Sequence, residues 1–191
     1  MKRGRPGYDQ DAVLEVAVAA FNEHGFEATS MGVLADRLGI SKSAIYHHVS
    51  SKEELLRMAL ERALGGLESV LDQAPADVPA IAALENVLRG TVNVLVEHLP
   101  EVTLLLRLRG NSEMEREALT RRRTIDRRFA VLVRQAQEEG ALRSDIEART
   151  AERLMLGTVN SLVEWYRPGG SLSASALADQ VITMVFGGLR A

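Results

Sequence analysis

Apolar positions recur at helical spacing along almost the whole chain. From Asp9 to His24 the stripe Val13, Leu14, Ala17, Ala20 and Phe21 follows the intervals of an amphipathic helix, and Gly25 is placed to stop it. Thr29-Ser30 is an N-cap signal that opens a short helix from Met31 to Arg37. Leu38-Gly39-Ile40 makes a tight break. Ser41 caps a second short helix through about His47, and Ser51 with Glu54, at capping-box spacing, opens a longer one to about Leu71. The segment Gln73 to Pro79 holds two prolines and is the expected boundary between an N-terminal and a C-terminal domain. Beyond it, Asp77 is placed to cap a helix from Val78 to about Leu99, ended by Pro100, and a short apolar helix follows from Val102 to Leu108. Ser112 and Glu115 repeat the capping-box spacing before a long charged helix to Glu139, with Gly140 as its stop. Another helix runs from about Ile146 to Tyr166, broken by Pro168-Gly169-Gly170, and Ser173 caps a last one through about Phe186. No stretch alternates like a strand, so the pattern predicts an all-α fold of about nine helices.

Composition narrows the chemistry. At 191 residues with 46% hydrophobic, the chain can bury a sizeable core in one or two small domains. The absence of cysteine excludes thiol nucleophiles, cysteine-held zinc, iron–sulfur clusters and CxxC redox pairs, and is compatible with a reducing compartment, so a cytoplasmic location is expected. Apolar runs are too short for a membrane span, and the basic start MKRGRPGYDQ has no apolar segment after it. No Ser-His-Asp arrangement, glycine-rich phosphate loop or metal-spaced cluster is present, so no catalytic residue, metal or cofactor is expected. His47 and His48 are adjacent, and neighbouring helical residues point about 100° apart, so they do not converge on one ion.

The informative stretch is Thr29 to Leu55, TSMGVLADRLGISKSAIYHHVSSKEEL. Two short helices flank a glycine turn. Met31, Leu34, Ala35, Leu38 and Ile40 supply inner faces, and Ala44, Ile45 and Val49 pack the second helix on the first. Ser41, Lys42, Ser43, Tyr46 and His47 remain as an outward polar set, suited to a major groove. Lys52 opens the next helix, where a cation opposes the helix dipole unless an anion lies nearby. Lys2, Arg3 and Arg5 form a basic N-terminal tail, either a loose end or an arm that follows phosphates. Residues 1–58 hold seven basic and eight acidic side chains, and the chain carries a net charge of −3, so affinity for DNA must come from placement of charge.

This stretch, with the preceding AFNEHGF, resembles the TetR family of bacterial transcriptional repressors across about residues 9 to 58. The resemblance implies an all-α homodimer that binds a palindromic double-stranded operator, with Ser41, Lys42, Ser43, Tyr46 and His47 in the major groove. It also implies Lys52 on the DNA backbone and Thr29 at a position that often meets a phosphate. The expected organisation is a DNA-binding domain over 1–58 and a ligand-binding and dimerisation domain over 59–191.

The C-terminal region has the apolar content for a pocket between helices, for which Met114, Phe129 and Val159 are candidate lining residues. Between Arg107 and Arg128 there are eight arginines and four acids. Either these make a solvated, salt-bridged face, or some of them, with Arg107, Arg109, Arg121 and Arg122 as candidates, hold an anionic ligand. EWYRPGGSL, from Glu164 to Leu172, resembles regulators of this family that answer to acyl-CoA thioesters in steroid, fatty-acid or phenylacetate catabolism. That resemblance places Trp165 and Arg167 near the ligand and the dimer seam. The expected function is therefore a repressor released from its operator by an acyl-CoA. The alternative is a TetR-type repressor of an efflux pump that answers to hydrophobic drug-like ligands. Dimerisation is expected through the last two helices, with Val159, Leu162 and Val163 facing Leu177, Val181, Ile182, Val185 and Phe186.

Overall fold

The computed structural model describes residues 9–190. Among these there is no strand, only one isolated bridge between Leu142 and Arg190. The chain divides into two compact units between Arg62 and Ala63. The division falls inside a helix, and the proline-bearing turn at 73–79 lies within the second unit.

The first unit holds α1 (Gln10–His24), α2 (Met31–Leu38), α3 (Lys42–Ile45) and the first half of α4 (Lys52–Asp72). Asp9 caps α1, its carboxylate accepting from the Ala12 amide at 2.8 Å. The cap of α2 is Ser30. Gly39 ends α2 in the left-handed region at φ 65°, its amide donating to the carbonyls of Ala35 and Asp36, a conformation that glycine adopts without a Cβ penalty. α3 is helical for four residues only, shorter than expected, because after Ile45 the chain tightens into bonds from His47 to Ala44 and from His48 to Ile45. Leu34, Leu38, Ile45 and Val49 are all buried, so a short helix that has little stability of its own is fixed by packing on α2.

The second unit holds the rest of α4 with α5 (Ala80–Glu97), α6 (Leu99–Arg107), α7 (Glu113–Glu138), α8 (Ala148–Asn160), α9 (Leu162–Trp165) and α10 (Ala174–Leu189). The expected helix from Ile146 to Tyr166 is interrupted at Ser161, whose hydroxyl donates to the Thr158 carbonyl at 2.7 Å. Counted as one broken helix, α8 and α9 bring the total among the described residues to nine. Two expected ends differ. Pro100 does not terminate α5 but sits in the first turn of α6, where its missing N–H costs nothing. Asp77 does not cap α5. That helix begins at Ala80, whose amide donates to a Glu139 carboxylate oxygen at 2.8 Å. Ser112 and Glu115 do cap α7, and the buried Glu115 carboxylate also accepts from the amides of Arg109, Gly110 and Asn111.

α7 packs against α5 and α8, and α10 packs against α5. Leu84, Leu88, Leu95, Phe129, Val133, Met155 and Phe186 form the centre of this core. α4 and α5 meet at two reciprocal glycine–valine pairs. A Cβ on Gly90 would lie 2.6 Å from a Val70 methyl, and one on Gly66 would lie 3.0 Å from a Val94 methyl.

Candidate DNA-reading helix and effector cavity

α3 presents its polar side chains outward. Ser41, Lys42, Ser43, Tyr46 and His47 are exposed, while Ile45 and Val49 are buried beneath them. Ser41 caps the helix, accepting from the Ala44 amide at 3.1 Å, and its hydroxyl pairs with that of Ser43 at 3.0 Å. Tyr46 is 48% exposed, so its ring is not a core element. The turn after α3 is tied back to α1 by Gln10, whose amide donates to the His48 carbonyl at 3.3 Å.

Two other residues expected at DNA lie differently. Thr29 is 1% exposed, and its hydroxyl donates to the Gly25 carbonyl at 2.8 Å. The exposed hydroxyl at this helix start is that of Ser30. Lys52 folds back over the α1–α2 turn. Its ammonium donates to the Phe26 carbonyl at 3.1 Å and lies 4.3 Å from the centre of the Phe26 ring, which packs edge-on against Phe21. With Glu27 at 3.8 Å as well, the cation at the head of α4 has local partners. The basic tail residues Arg3 and Arg5 lie outside the described residues.

In the second unit a cavity of about 40 Å³ opens between α5, α6, α7 and α8, with Leu67 of α4 on its wall. Its apolar lining includes Leu95, Leu105, Ile125, Phe129 and Leu156, and its polar lining is Thr91, Arg122, Asp126 and Asn160. The space suits a few water-sized groups, at roughly 10–15 Å³ each. Of the expected ligand residues, Arg122 and Phe129 line it. Val159 is fully buried in the core, and Met114, Arg107 and Arg109 lie off the cavity, the two arginines exposed. Arg121 forms a two-pronged ion pair with Glu68, at 2.9 and 2.7 Å. Arg167 donates to the carbonyls of Glu164 and Tyr166 at the end of α9, and Trp165 is 53% exposed. Arg128 pairs with Asp72. Within the dense arginine run, Arg121 and Arg128 are thus held in ion pairs and Arg122 lines the cavity.

Sequence reasoning missed the carboxyl pair next to that guanidinium. Asp126 lines the cavity, and Glu152 of α8 is 3% exposed. Burial pushes both carboxyls up. Glu152, further raised by the charge of Asp126, reaches about 7 despite the opposing pull of Arg149, Arg153 and Arg122. The signal was an acidic residue in the apolar register of α8, between Ala148 and Met155, both buried.

The apolar stripe expected to pair two protomers mostly faces inward. Leu162, Leu177, Val181, Val185 and Phe186 are all buried within this chain. The large apolar side chains left exposed on the last helices are Leu154, Trp165 and Met184 at 53–60%, near the open backbone of Gly157, Gly187 and Gly188.

A glycine-turn pair of short helices with a polar outward face, followed by a helical unit with its own cavity, defines a helix-turn-helix DNA-binding regulator. Residues 13–59 match the family described as bacterial regulatory proteins, tetR family, and residues 77–189 match the tetracyclin repressor-like C-terminal domain. The chain belongs to the TetR family of transcriptional regulators, which are DNA-binding proteins rather than enzymes. It is similar to the structure of SCO3833, a TetR-family member from Streptomyces coelicolor A3, at 49% identity and a TM-score of 0.87, covering 100% of this chain and 96% of that one. The HTH-type transcriptional repressor KstR2 of Mycobacterium tuberculosis is 29% identical over 93% of this chain and 90% of its own length. The structure of that ketosteroid regulator superposes with a TM-score of 0.82 over the full length of both chains. AibR, solved with isovaleryl coenzyme A and operator DNA, shares the fold at 24% identity and a TM-score of 0.76, over 93% of this chain and 97% of its own. Among the described residues no helix is long and apolar enough to cross a membrane, and no group of three side chains is arranged to hold a metal ion.

Proposed function

We propose that this protein is a repressor whose operator affinity falls when an acyl-CoA thioester occupies the second unit. The observation that carries this reading is the pairing of an outward polar α3 with a mostly apolar cavity that turns one arginine inward. In this reading residues 1–58 bind DNA and 59–191 bind effector and dimerise. Ser41, Lys42, Ser43, Tyr46 and His47 enter the major groove, and Lys52 holds the helix entry rather than a phosphate. The acyl end enters the cavity, and the nucleotide end meets exposed arginines such as Arg107 and Arg109. AibR supports this to the extent that the same fold holds a short acyl-CoA and DNA. KstR2, a ketosteroid regulator by name, supports a bulky apolar effector.

A cavity this small has to widen around an effector, so binding favours a different arrangement of α5 to α8. Coupling is reciprocal: operator DNA weakens effector binding by the same factor that effector weakens DNA binding. The protein acts as a homodimer through its last helices, with Leu154, Trp165 and Met184 buried against a second copy, which sets the recognition helices about one DNA turn apart, ~34–36 Å.

The test is to bind purified protein to its own upstream DNA and add matched CoA thioesters and free acids. Release by a thioester and not by its acid is the expected result. DNA binding unmoved by every thioester would refute the effector assignment and leave the regulator. A second reading, release by a lipophilic cation, is favoured by one observation. An open groove of about 550 Å³ between the 74–83 segment and α7 is lined by alanines, Pro75, Val78 and Leu132, together with Glu138 and Glu139. Release by ethidium but by no thioester would establish it.

A further inference from the structure

The cavity's polar lining has unused hydrogen-bonding capacity. Thr91 spends its proton on the Val87 carbonyl at 2.8 Å. Arg122, Asp126 and Asn160, by contrast, make no side-chain hydrogen bond and no ion pair within 4.0 Å among the described residues, although all three line the same small space. Arg122 and Asp126 are one helical turn apart on α7 and so share a face, yet they are not closed onto each other. Asn160 ends α8 on the other wall. The polar atoms of these three side chains are not sealed in the core, so a ligand in the cavity can meet them. Their chemistry says what would satisfy them.

Arg122 only donates, ionised Asp126 only accepts, and the Asn160 amide does both. A ketone satisfies the donors and leaves Asp126 without a proton to accept. A carboxylate also satisfies the donors but meets the like charge of Asp126 on the same lining. An ammonium group suits Asp126 and is repelled by Arg122. A hydroxyl accepts from Arg122 or Asn160 and donates to Asp126, so of these four groups it is the one that uses both halves of the array. We propose that the effector's buried end carries a hydroxyl on an otherwise apolar skeleton, read by Arg122, Asp126 and Asn160. This rests on the reading of the cavity as the effector site, but not on the coenzyme A head group.

The experiment uses the intact protein and eight compounds in calorimetric titration: octanoate, 8-hydroxyoctanoate, 7-oxooctanoate and octanedioate, each as free acid and as mono-CoA thioester. The expected order is hydroxyl first, ketone and unsubstituted chain about 10- to 100-fold weaker, and terminal carboxylate weakest. Asp126→Leu and Asn160→Leu, checked for folding by helical circular dichroism, should each remove the hydroxyl preference. Equal affinity for octanoyl and 8-hydroxyoctanoyl forms overturns the inference, as does a preference that survives both substitutions or binding by none of the eight. Loss of the difference between thioester and acid, with the hydroxyl preference intact, overturns the coenzyme A reading alone.

Discussion

Replacing Lys52 by methionine separates two roles that a helix-opening lysine can play beside DNA. The ammonium donates to the Phe26 carbonyl and rests on the Phe26 ring, with the side chain 21% exposed. A charge-assisted hydrogen bond is worth about 1.5–3 kcal/mol net, and a partly desolvated cation–π contact about 0.5–2 kcal/mol. Two effects reduce the loss. The Phe26 carbonyl still receives the Thr29 amide at 3.2 Å, so it is not orphaned. Removing a cation from the first turn of α4 also relieves about 0.3–1 kcal/mol of unfavourable dipole interaction. Methionine keeps the stem against the ring, so Lys52→Met should destabilise the protein by about 1–2 kcal/mol in urea unfolding. Operator binding is then measured from low to moderate salt. If Lys52 makes no phosphate contact, the slope of log affinity against log salt does not change. A slope smaller by about 1.8 for a dimer, at about 0.9 per phosphate, with unfolding unaltered, would refute the reasoning.

Lys42 is exposed with no partner in the described chain, so Lys42→Met should show the opposite pattern, a shallower salt slope with unfolding unchanged. Arg121→Met should cost about 1 kcal/mol in urea unfolding, from loss of its half-buried pair with Glu68, and leave thioester affinity unchanged; a tenfold loss of affinity would return Arg121 to the ligand site. Glu152 should make stability fall as pH rises. Its folded pKa, about 7, lies above the unfolded value of 4.5, so the folded state holds a proton that the unfolded state has lost. The fall begins near the unfolded value and is complete above the folded one, amounting to up to about 3 kcal/mol. Thermal unfolding from pH 5 to 8 should show this drift in the wild type and much less of it in Glu152→Gln; identical profiles would argue against a buried acid. Leu154→Asp combined with Met184→Asp should convert the proposed dimer to monomer in sedimentation equilibrium, and a persistent dimer would place the interface elsewhere.

The helices were legible because capping hydroxyls and apolar stripes are local signals. Ser41, Ser112 and Ser173 cap the helices their positions predicted, and Ile45 and Val49 are buried beneath the outward set of α3. The errors arise where a partner distant in sequence decides. Asp77 was the local candidate to cap α5, but Glu139 reaches that amide from the end of α7. Nothing nearby in sequence signals that the Lys52 ammonium meets Phe26, twenty-six residues earlier. Periodicity shows that a helix has an apolar face but not whether the covering surface belongs to the same chain, so Leu177, Val181 and Phe186 suggested a protomer interface when they serve the protomer's own core. The arginine run posed the same problem. Its composition fixes a positive segment, while only three-dimensional placement shows that Arg121 and Arg128 are paired and Arg122 faces the cavity.

The brevity of α3 separates what holds it from what it displays. Ile45 and Val49 anchor it, and the five side chains above them carry almost none of the unit's burial. Exposed substitutions away from caps typically change stability by under about 0.5 kcal/mol. A library randomising Lys42, Ser43, Tyr46 and His47, with Ser41 kept as the cap, should therefore consist mostly of folded proteins. The proposed reading surface can then be rewritten for a new operator without rebuilding the domain beneath it.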